Sequence, residues 1–158
     1  MATKISNILK PRKVLIVNYG MGNLKSLHAA FNFLGVKSTE TDKPEKISKS
    51  NIIILPGVGS FRKAMLRIKE KKIDEAIYYN LKNNNSFILG ICLGMQLLGK
   101  SSTENGYTKG LNLIKNKVEK FNWKETKRNK IPHAGFNNLL FSKSNKLLKG
   151  IEKKHDFY

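Results

Sequence analysis

The 158-residue sequence contains one cysteine, Cys92, which excludes an internal disulfide framework and a cysteine-rich zinc site. It also lacks any apolar run near the roughly 18 residues that a membrane-spanning helix requires. Its longest apolar runs, Ile52–Leu55 and Phe87–Leu89, have the length of strands. The amino-terminal sequence MATKISNILKPRK lacks the apolar stretch and cleavage site of a secretory signal, although its basic character also fits a transit peptide. We therefore expect a cytoplasmic protein with no membrane association, no metal and no cofactor.

Acidic residues are also scarce, because 11 Asp and Glu stand against 30 Lys and Arg, and the net charge is +19. Such a charge suggests a nucleic-acid surface. However, only four of the 30 cations are arginine, the residue that reads bases and phosphates with a bidentate fork. The lysines are spread along the whole chain together with abundant Asn and Ile, and all three residues have A/T-rich codons. We therefore expect no nucleic-acid partner, and an anion-binding or nucleic-acid surface is the alternative.

With 40% hydrophobic and 26% charged residues, the chain has the composition of one globular domain. Residues 1–12 are a basic extension, and residues 13–158 form the domain. Apolar runs predict buried strands at Val14–Val17, Ile52–Leu55 and Phe87–Ile91. Helical spacing predicts a helix from Leu24 to Gly35, one capped by Ser60, one containing Ile73, Ile77 and Leu81, and one after Cys92. Apolar strands alternating with amphipathic helices indicate an α/β domain with a parallel sheet covered on both faces.

The pattern changes after about residue 110. Shorter apolar groups predict strands of an antiparallel or mixed portion around Val118, Phe121, Trp123, Ile131 and residues 139–141.

Three glycine-containing turns follow the predicted parallel strands, at residues 19–23, 56–60 and 92–94. In such sheets the carboxyl ends of the strands lie at one edge, where ligands bind. The three turns therefore predict a functional site at that edge.

Residues 90–94 have the sequence Gly-Ile-Cys-Leu-Gly, the cysteine form of a nucleophile elbow between a strand and a helix. We expect this turn to force the Cys92 side chain out of the sheet edge in a strained conformation. Glycine is needed on both sides because a Cβ at either position would collide with the neighbouring backbone. The helix that starts here points the positive end of its dipole at the sulfur, which favours the thiolate form of the cysteine. The alternative is a buried structural cysteine, since cysteine is among the most buried residue types.

Four separated segments carry a resemblance to a known family: NYGMGNL at 18–24, LPGVGSF at 55–61, GICLGMQ at 90–96 and IPHAGFN at 131–137. The third resembles the nucleophile segment of class I (triad) glutamine amidotransferases. Together, and in this order, they resemble the glutaminase subunits of imidazole glycerol phosphate synthases. The resemblance implies a flavodoxin-like, three-layer α/β sandwich with a mostly parallel central sheet. It also implies a heterodimer with the cyclase (synthase) subunit of histidine biosynthesis, which receives ammonia released from glutamine.

The resemblance further implies roles for individual residues. Cys92 is the nucleophile that forms a glutamyl thioester. Backbone N–H groups of Val58 or Gly59, with that of Leu93, form the oxyanion hole beside Gly57, and Gln96 contacts the substrate. The segments expected to face the partner contribute Tyr19, Gly20, Met21, Asn23, Pro132, His133, Phe136 and Asn137.

The sequence departs from the family pattern in two places. Phe136 stands where the family usually has Trp, so partner contacts are expected to differ. The family also places a catalytic His and Glu after the Asp-Phe-Tyr stretch, and the sequence stops at Tyr158. His28, His133 and His155 lie on segments that should not reach Cys92, so none is assigned as the base. We therefore expect a fold incomplete at its carboxyl end and a chain that by itself does not hydrolyse glutamine.

Three alternatives remain beside the glutaminase subunit. One is a related glutaminase that feeds ammonia to a surface-polysaccharide sugar amidation enzyme, an alternative that the Phe136 departure keeps open. Another is an inactive, truncated protein that only docks a partner. A basic nucleic-acid binder is the third, although the sequence contains no groove-reading motif.

Overall fold

The computed structural model describes residues 13–120, 135–138, 148, 150 and 156–157. The chain divides into two compact units, Met1–Lys120 and Phe121–Tyr158. Among the described residues, no helix combines the length and the apolar character needed to cross a membrane.

The first unit alternates strands and helices as the apolar pattern predicts. Its strands are β1 (Val14–Val17), β2 (Ser38–Thr41), β3 (Ile52–Leu55) and β4 (Phe87–Gly90). Its helices are α1 (Leu24–Phe33), α2 (Pro44–Ile47), α3 (Phe61–Glu70), α4 (Ile73–Asn83) and α5 (Leu93–Leu97). Each predicted strand and helix up to Leu97 is present, and β2 and α2 are additional elements.

The four strands form one parallel sheet in the order β2-β1-β3-β4. This order places β1 and β3 in the interior, where both faces of a parallel strand are normally covered. The register pairs Leu55 at the end of β3 with Gly90 at the end of β4. The turns that follow these two strands therefore begin side by side.

The main core lies on one face of the sheet, beneath α2, α3, α4 and α5. Leu15, Val17, Ile53 and Leu55 point to this face and pack against buried helix residues that include Phe61. The opposite face carries a smaller cluster of Val14, Ile16 and Ile54 beneath α1, whose contributing residues are only partly buried. The helices are thus distributed unequally over the two faces of the described sheet.

Strand β4 departs from the prediction of a buried strand. Phe87 is 64% exposed and Leu89 is 42% exposed. The reason is the position of β4 at the edge of the described sheet, on the face where α1 is the helix that packs against the cluster. An apolar run alone therefore identified a strand correctly but not its burial.

After α5 the chain forms a small mixed sheet of three short strands. The last of them lies beyond residue 110, where a strand was predicted around Val118, and the other two were not predicted. Strand β5 (Ser101–Ser102) pairs antiparallel with β6 (Thr108–Lys109) and parallel with β7 (Lys117–Val118). We call residues 101–109 the 101–109 hairpin. In the second unit, β8 (Asn137–Asn138) pairs antiparallel with β9 (Asp156–Phe157). The strands predicted around Phe121, Trp123, Ile131 and residues 139–141 lie outside the described residues.

Candidate active site

Cys92 lies between β4 and α5 in a backbone conformation that side chains rarely adopt. Its φ is 56° and its ψ is −118°, and its side chain is exposed. A non-glycine residue held in such a conformation costs about 1–3 kcal/mol and is a frequent feature of functional sites. The structure therefore shows the strained turn expected of an elbow, with Cys92 exposed rather than buried, and the role of Cys92 as a nucleophile stays a prediction.

The two glycines beside the elbow are required by close backbone packing. A Cβ at Gly90 would lie 2.6 Å from the backbone N and Cα of Met95. A Cβ at Gly94 would overlap the carbonyl oxygen of Leu55 and lie 2.6 Å from its carbonyl carbon. Both distances are far below van der Waals contact, and both involve backbone atoms that cannot rotate away. The elbow turn and the end of β3 are consequently packed backbone against backbone.

Residues 56–60, which we call the Pro56 loop, follow β3 directly beside this elbow. The last bond between the two strand ends runs from the Ile91 N–H to the Leu55 carbonyl, at 3.0 Å. Gly57 is buried, and a Cβ there would lie 2.9 Å from Cβ of Leu93 and 3.0 Å from the Gly94 nitrogen. Val58 and Gly59 are exposed. The Pro56 loop therefore lies against the first residues of α5.

Backbone amides at this junction are available to a ligand. Within the described part of the chain, the N–H groups of Val58, Gly59 and Leu93 donate to no protein acceptor. Amide donors in such a position can stabilise a negative oxygen formed beside the nucleophile. The structure thus brings the predicted oxyanion-hole residues to the same sheet edge as Cys92.

Residues 19–23, which we call the Tyr19 loop, pack along the Pro56 loop. A Cβ at Gly22 would lie 3.4 Å from the side chain of Pro56, and one at Gly59 would lie 3.3 Å from Cε of Met21. The Arg67 guanidinium donates a 2.6 Å hydrogen bond to the Gly20 carbonyl. The three predicted turns, residues 19–23, 56–60 and 92–94, therefore lie together at the carboxyl edge of the sheet, and we call them the loop cluster.

The predicted partner-facing residues of the Tyr19 loop differ in their exposure. Gly20 and Asn23 are exposed and Met21 is half-buried. Asn23 also caps α1, since its side-chain oxygen accepts a 3.3 Å bond from the Ser26 amide. The Tyr19 side chain is only 1% exposed, and the contact of this loop with a partner stays a prediction. The Tyr19 hydroxyl is bonded to the Pro56 carbonyl inside the loop cluster.

Gln96 is half-buried, one turn after Cys92, and its backbone N–H donates a 3.2 Å bond to the Cys92 carbonyl. Its contact with a substrate stays a prediction. Phe136 and Asn137 lie in the second unit and are exposed, with Asn137 in β8. Pro132 and His133 lie outside the described residues, so the partner-facing segment stays a prediction as well.

His28 is held far from the elbow, as the sequence analysis expects. Its Nδ1 lies 2.7 Å from the Ser38 hydroxyl and its Nε2 lies 3.2 Å from the Glu40 carboxylate. Both partners belong to β2, at the opposite end of the described sheet from β4. His133 and His155 lie outside the described residues.

The sequence analysis missed Glu104, which caps the helix that follows the Pro56 loop. Ser60 occupies the N-cap position of α3 as predicted, but its side chain makes no capping bond. The Glu104 carboxylate instead accepts a 3.2 Å hydrogen bond from the Phe61 amide. Glu104 is 43 residues from Phe61 in the sequence, so only the fold could reveal this contact.

The described residues contain no group of three or more His, Cys, Asp or Glu side chains that could hold a metal ion. A large open cavity of about 1330 Å³ lies at the amino-terminal ends of the strands, lined by residues that include Lys13, Asn51 and Phe87. It is at the edge of the sheet opposite to Cys92. The residues that the sequence predicts for the site therefore lie outside this cavity.

Comparison with known proteins identifies the family. Residues 15–158 match the family described as glutamine amidotransferase class-I. The chain is 41% identical over 140 residues to the "Imidazole glycerol phosphate synthase subunit HisH" of Bacillus velezensis, covering 87% of this chain and 66% of that relative. It is 38% identical over 145 residues to the HisH subunit of Chlorobaculum tepidum, covering 92% of this chain and 70% of that relative. The chain thus spans about two thirds of the length of these curated relatives.

A solved structure described as "Crystal structure of glutamine amidotransferase" shares the fold, with a TM-score of 0.58 and 21% identity. The match covers 66% of this chain and 55% of that one. It confirms the predicted α/β architecture with a parallel central sheet, and the family match confirms the resemblance carried by the four sequence segments. The chain therefore belongs to the class I glutamine amidotransferase family and, within it, to the HisH subunits of imidazole glycerol phosphate synthase.

Proposed function

We propose that the protein is the glutaminase subunit of an imidazole glycerol phosphate synthase, which hydrolyses glutamine at Cys92 and passes the ammonia to a synthase subunit. The observation that carries the proposal is the loop cluster. An exposed cysteine at φ 56° lies beside backbone amides of the Pro56 loop that have no protein acceptor among the described residues. The relatives named as HisH subunits support the choice of this synthase over a sugar amidation enzyme.

The reaction follows from these parts. The Cys92 sulfur attacks the side-chain carbonyl carbon of glutamine, and the carbonyl π electrons move to its oxygen. The amides of Leu93 and of Val58 or Gly59 stabilise this oxyanion. The C–N bond then breaks, the nitrogen takes a proton and leaves as ammonia, and a glutamyl thioester remains. Water attacks the thioester, releases glutamate and restores the thiol.

Two proton transfers require a general acid and base near the sulfur, and such a group contributes roughly 10²- to 10⁴-fold to the rate. His28, the histidine within the described residues, lies at the β2 edge and is bonded to Ser38 and Glu40. The family resemblance assigns this task to a histidine supported by a glutamate. The nucleophile and oxyanion donors are thus the part of the mechanism that the described residues supply.

The product ammonia is proposed to pass to the synthase subunit of a heterodimer. The surface proposed to meet it includes Gly20, Met21 and Asn23 of the Tyr19 loop, beside the loop cluster. We place the reaction in the cytoplasm, because an exposed, unpaired nucleophilic thiol is preserved in reducing surroundings.

Covalent labelling tests the proposal directly. A chloroketone analogue of glutamine should modify Cys92, free glutamine should slow the modification, and peptide mass spectrometry should locate the adduct. Cys92→Ser should not be labelled. Adducts on other residues of Cys92→Ser, at the rate of the wild type, would contradict the proposal.

The fate of the ammonia needs the synthase subunit. With that subunit present, and in a full-length version that carries the catalytic His and Glu implied by the resemblance, Cys92→Ala should abolish synthesis from glutamine and leave synthesis from free ammonia intact, because the partner performs the second reaction. Loss of both activities in a folded Cys92→Ala protein would instead indicate a structural cysteine.

A further inference from the structure

The Tyr19 side chain is buried beneath the candidate active site, although it belongs to a loop. It is 1% exposed, and its hydroxyl donates a 2.7 Å hydrogen bond to the carbonyl oxygen of Pro56. The two residues are 37 positions apart in the sequence. This bond joins the Tyr19 loop to the first peptide of the Pro56 loop.

Among the described residues, the peptide between Pro56 and Gly57 makes no hydrogen bond to the sheet. The last bond between β3 and β4 uses the Leu55 carbonyl, and proline has no N–H to donate. Pro56 is buried, and a buried carbonyl needs a hydrogen-bond donor. The Tyr19 hydroxyl supplies that donor, so it fixes the direction of the Pro56 carbonyl and, across the same planar peptide, of the Gly57 N–H.

The surrounding packing holds the phenol in place. A Cβ at Gly57 would overlap the Tyr19 hydroxyl and would lie 2.9 Å from Cβ of Leu93. Gly57 therefore lies between the Tyr19 hydroxyl and Leu93, and this space leaves no room for a side chain. Burial, and secondarily the nearby Cys92, raise the pKa of Tyr19 above its usual value, which is consistent with a protonated hydroxyl that donates to Pro56.

We propose that Tyr19 is a positioning residue: its bond to Pro56 sets the orientation of the Pro56 loop and thereby directs the Val58 and Gly59 amides toward the substrate oxygen. This inference rests on the proposed glutaminase function. It assigns the buried Tyr19 side chain an internal task, which is separate from the partner contact predicted for the Tyr19 loop. A tyrosine that served only as core packing would be replaced by phenylalanine without consequence for the chemistry.

Tyr19→Phe removes the hydroxyl and keeps the ring. Tyr78→Phe is a matched control, because the Tyr78 hydroxyl also donates to a backbone carbonyl, that of Leu111 at 2.6 Å, away from the loop cluster. Two reagents are compared at Cys92 in each folded variant. The ketone of the glutamine chloroketone forms a tetrahedral adduct that needs the oxyanion donors, whereas iodoacetamide reports only on the reactivity of the thiol.

We expect Tyr19→Phe to react about 10-fold more slowly with the chloroketone, which is less than the roughly 10²- to 10³-fold effect of deleting an oxyanion donor outright. The rate with iodoacetamide should stay within about twofold of wild type, and Tyr78→Phe should match wild type with both reagents. Where turnover of a full-length version is measured with the synthase subunit, Tyr19→Phe should lower kcat while KM changes little. Wild-type chloroketone rates in folded Tyr19→Phe, or equal slowing with both reagents, would overturn the assignment.

Gly57→Ala gives a second perturbation that does not depend on the folding of Tyr19→Phe. The added methyl group displaces the hydroxyl, so chloroketone labelling should slow as it does in Tyr19→Phe. The double variant removes the overlap with the hydroxyl, and the two effects should therefore be less than additive. Full additivity would contradict the contact. If wild type itself fails to react with the chloroketone while reacting with iodoacetamide, the proposed function fails and the role of Tyr19 fails with it.

Discussion

Gly94→Ala should unfold or severely destabilise the protein, although the change adds one methyl group. The backbone φ of Gly94 is not the reason that this position needs glycine, since Gly94 is not among the residues with positive φ. The cost arises because the new Cβ would overlap the Leu55 carbonyl oxygen and lie 2.6 Å from its carbonyl carbon. That carbonyl already accepts the Ile91 amide at 3.0 Å, so moving it would also weaken the bond between the two strand ends.

The magnitude follows from these contacts. Overpacking usually costs 1–3 kcal/mol, and a clash with backbone lies at or beyond the upper end because no rotamer change relieves it. A loss of about 3 kcal/mol lowers the melting temperature by about 6–12 °C for a domain of this size. Thermal unfolding followed by circular dichroism measures the shift.

Gly35→Ala is the appropriate control for this experiment. Gly35 has a φ of +69° and no atom within 4 Å of its would-be Cβ, so the substitution adds backbone strain without a clash. It should cost about 1–2 kcal/mol. A Gly94→Ala protein that melts within about 2 °C of wild type, or above Gly35→Ala, would refute the packing argument.

The remaining predictions concern the elbow, the core and one ion pair. Cys92→Gly should be about 1 kcal/mol more stable than Cys92→Ala, because glycine relieves the positive φ, and thermal melts of the two variants would compare them. Asn80→Ala should cost about 3 kcal/mol in urea unfolding, since Asn80 is fully buried and donates to two backbone carbonyls, whereas exposed Asn83→Ala on the same helix should stay within about 0.5 kcal/mol of wild type. Asp42, whose pKa is lowered first by its 2.6 Å hydrogen bond to Lys71, stabilises the folded chain above its unfolded pKa of 3.8 and loses that contribution as the pH falls below it. The stability difference between wild type and Asp42→Asn should therefore disappear in acid and shrink at high salt; a difference that grows in acid would contradict it.

Much of the first unit could be predicted from the sequence because its strands are short apolar runs. β1 and β3 contribute almost entirely buried residues, and such runs are recognisable without any partner. β2 escaped prediction because its sequence, Ser-Thr-Glu-Thr, is polar and only Thr41 is buried. It is a strand because it pairs with all four residues of β1, which is a property of the fold rather than of its own composition.

The candidate site likewise has a part that could be predicted from the sequence and a part that could not. The elbow and the glycines of the Pro56 loop were predictable because close backbone approach leaves a local signature, glycine beside a turn. The contacts of Tyr19, Arg67 and Glu104 could not be predicted, since each reaches a carbonyl or amide about 40 residues away in the sequence. A polar side chain carries no sign of which distant backbone group it will bond. For the same reason Ser60 seemed sufficient as a cap until the structure showed Glu104 in that role.

The 101–109 hairpin and the residues just after it make hydrogen bonds to both α3 and α5. Beyond its end the Leu111 amide is bonded to the Leu97 carbonyl of α5, at 2.8 Å, while Glu104 holds the first amide of α3. The helix that begins after Cys92 and the helix that follows the Pro56 loop are thus both bonded to residues 101–111. Opening of that segment would release both helices in a single event, so thiol and amides should lose their alignment together. A partly opened protein would then rarely expose an aligned Cys92 thiol without the amides of the Pro56 loop beside it.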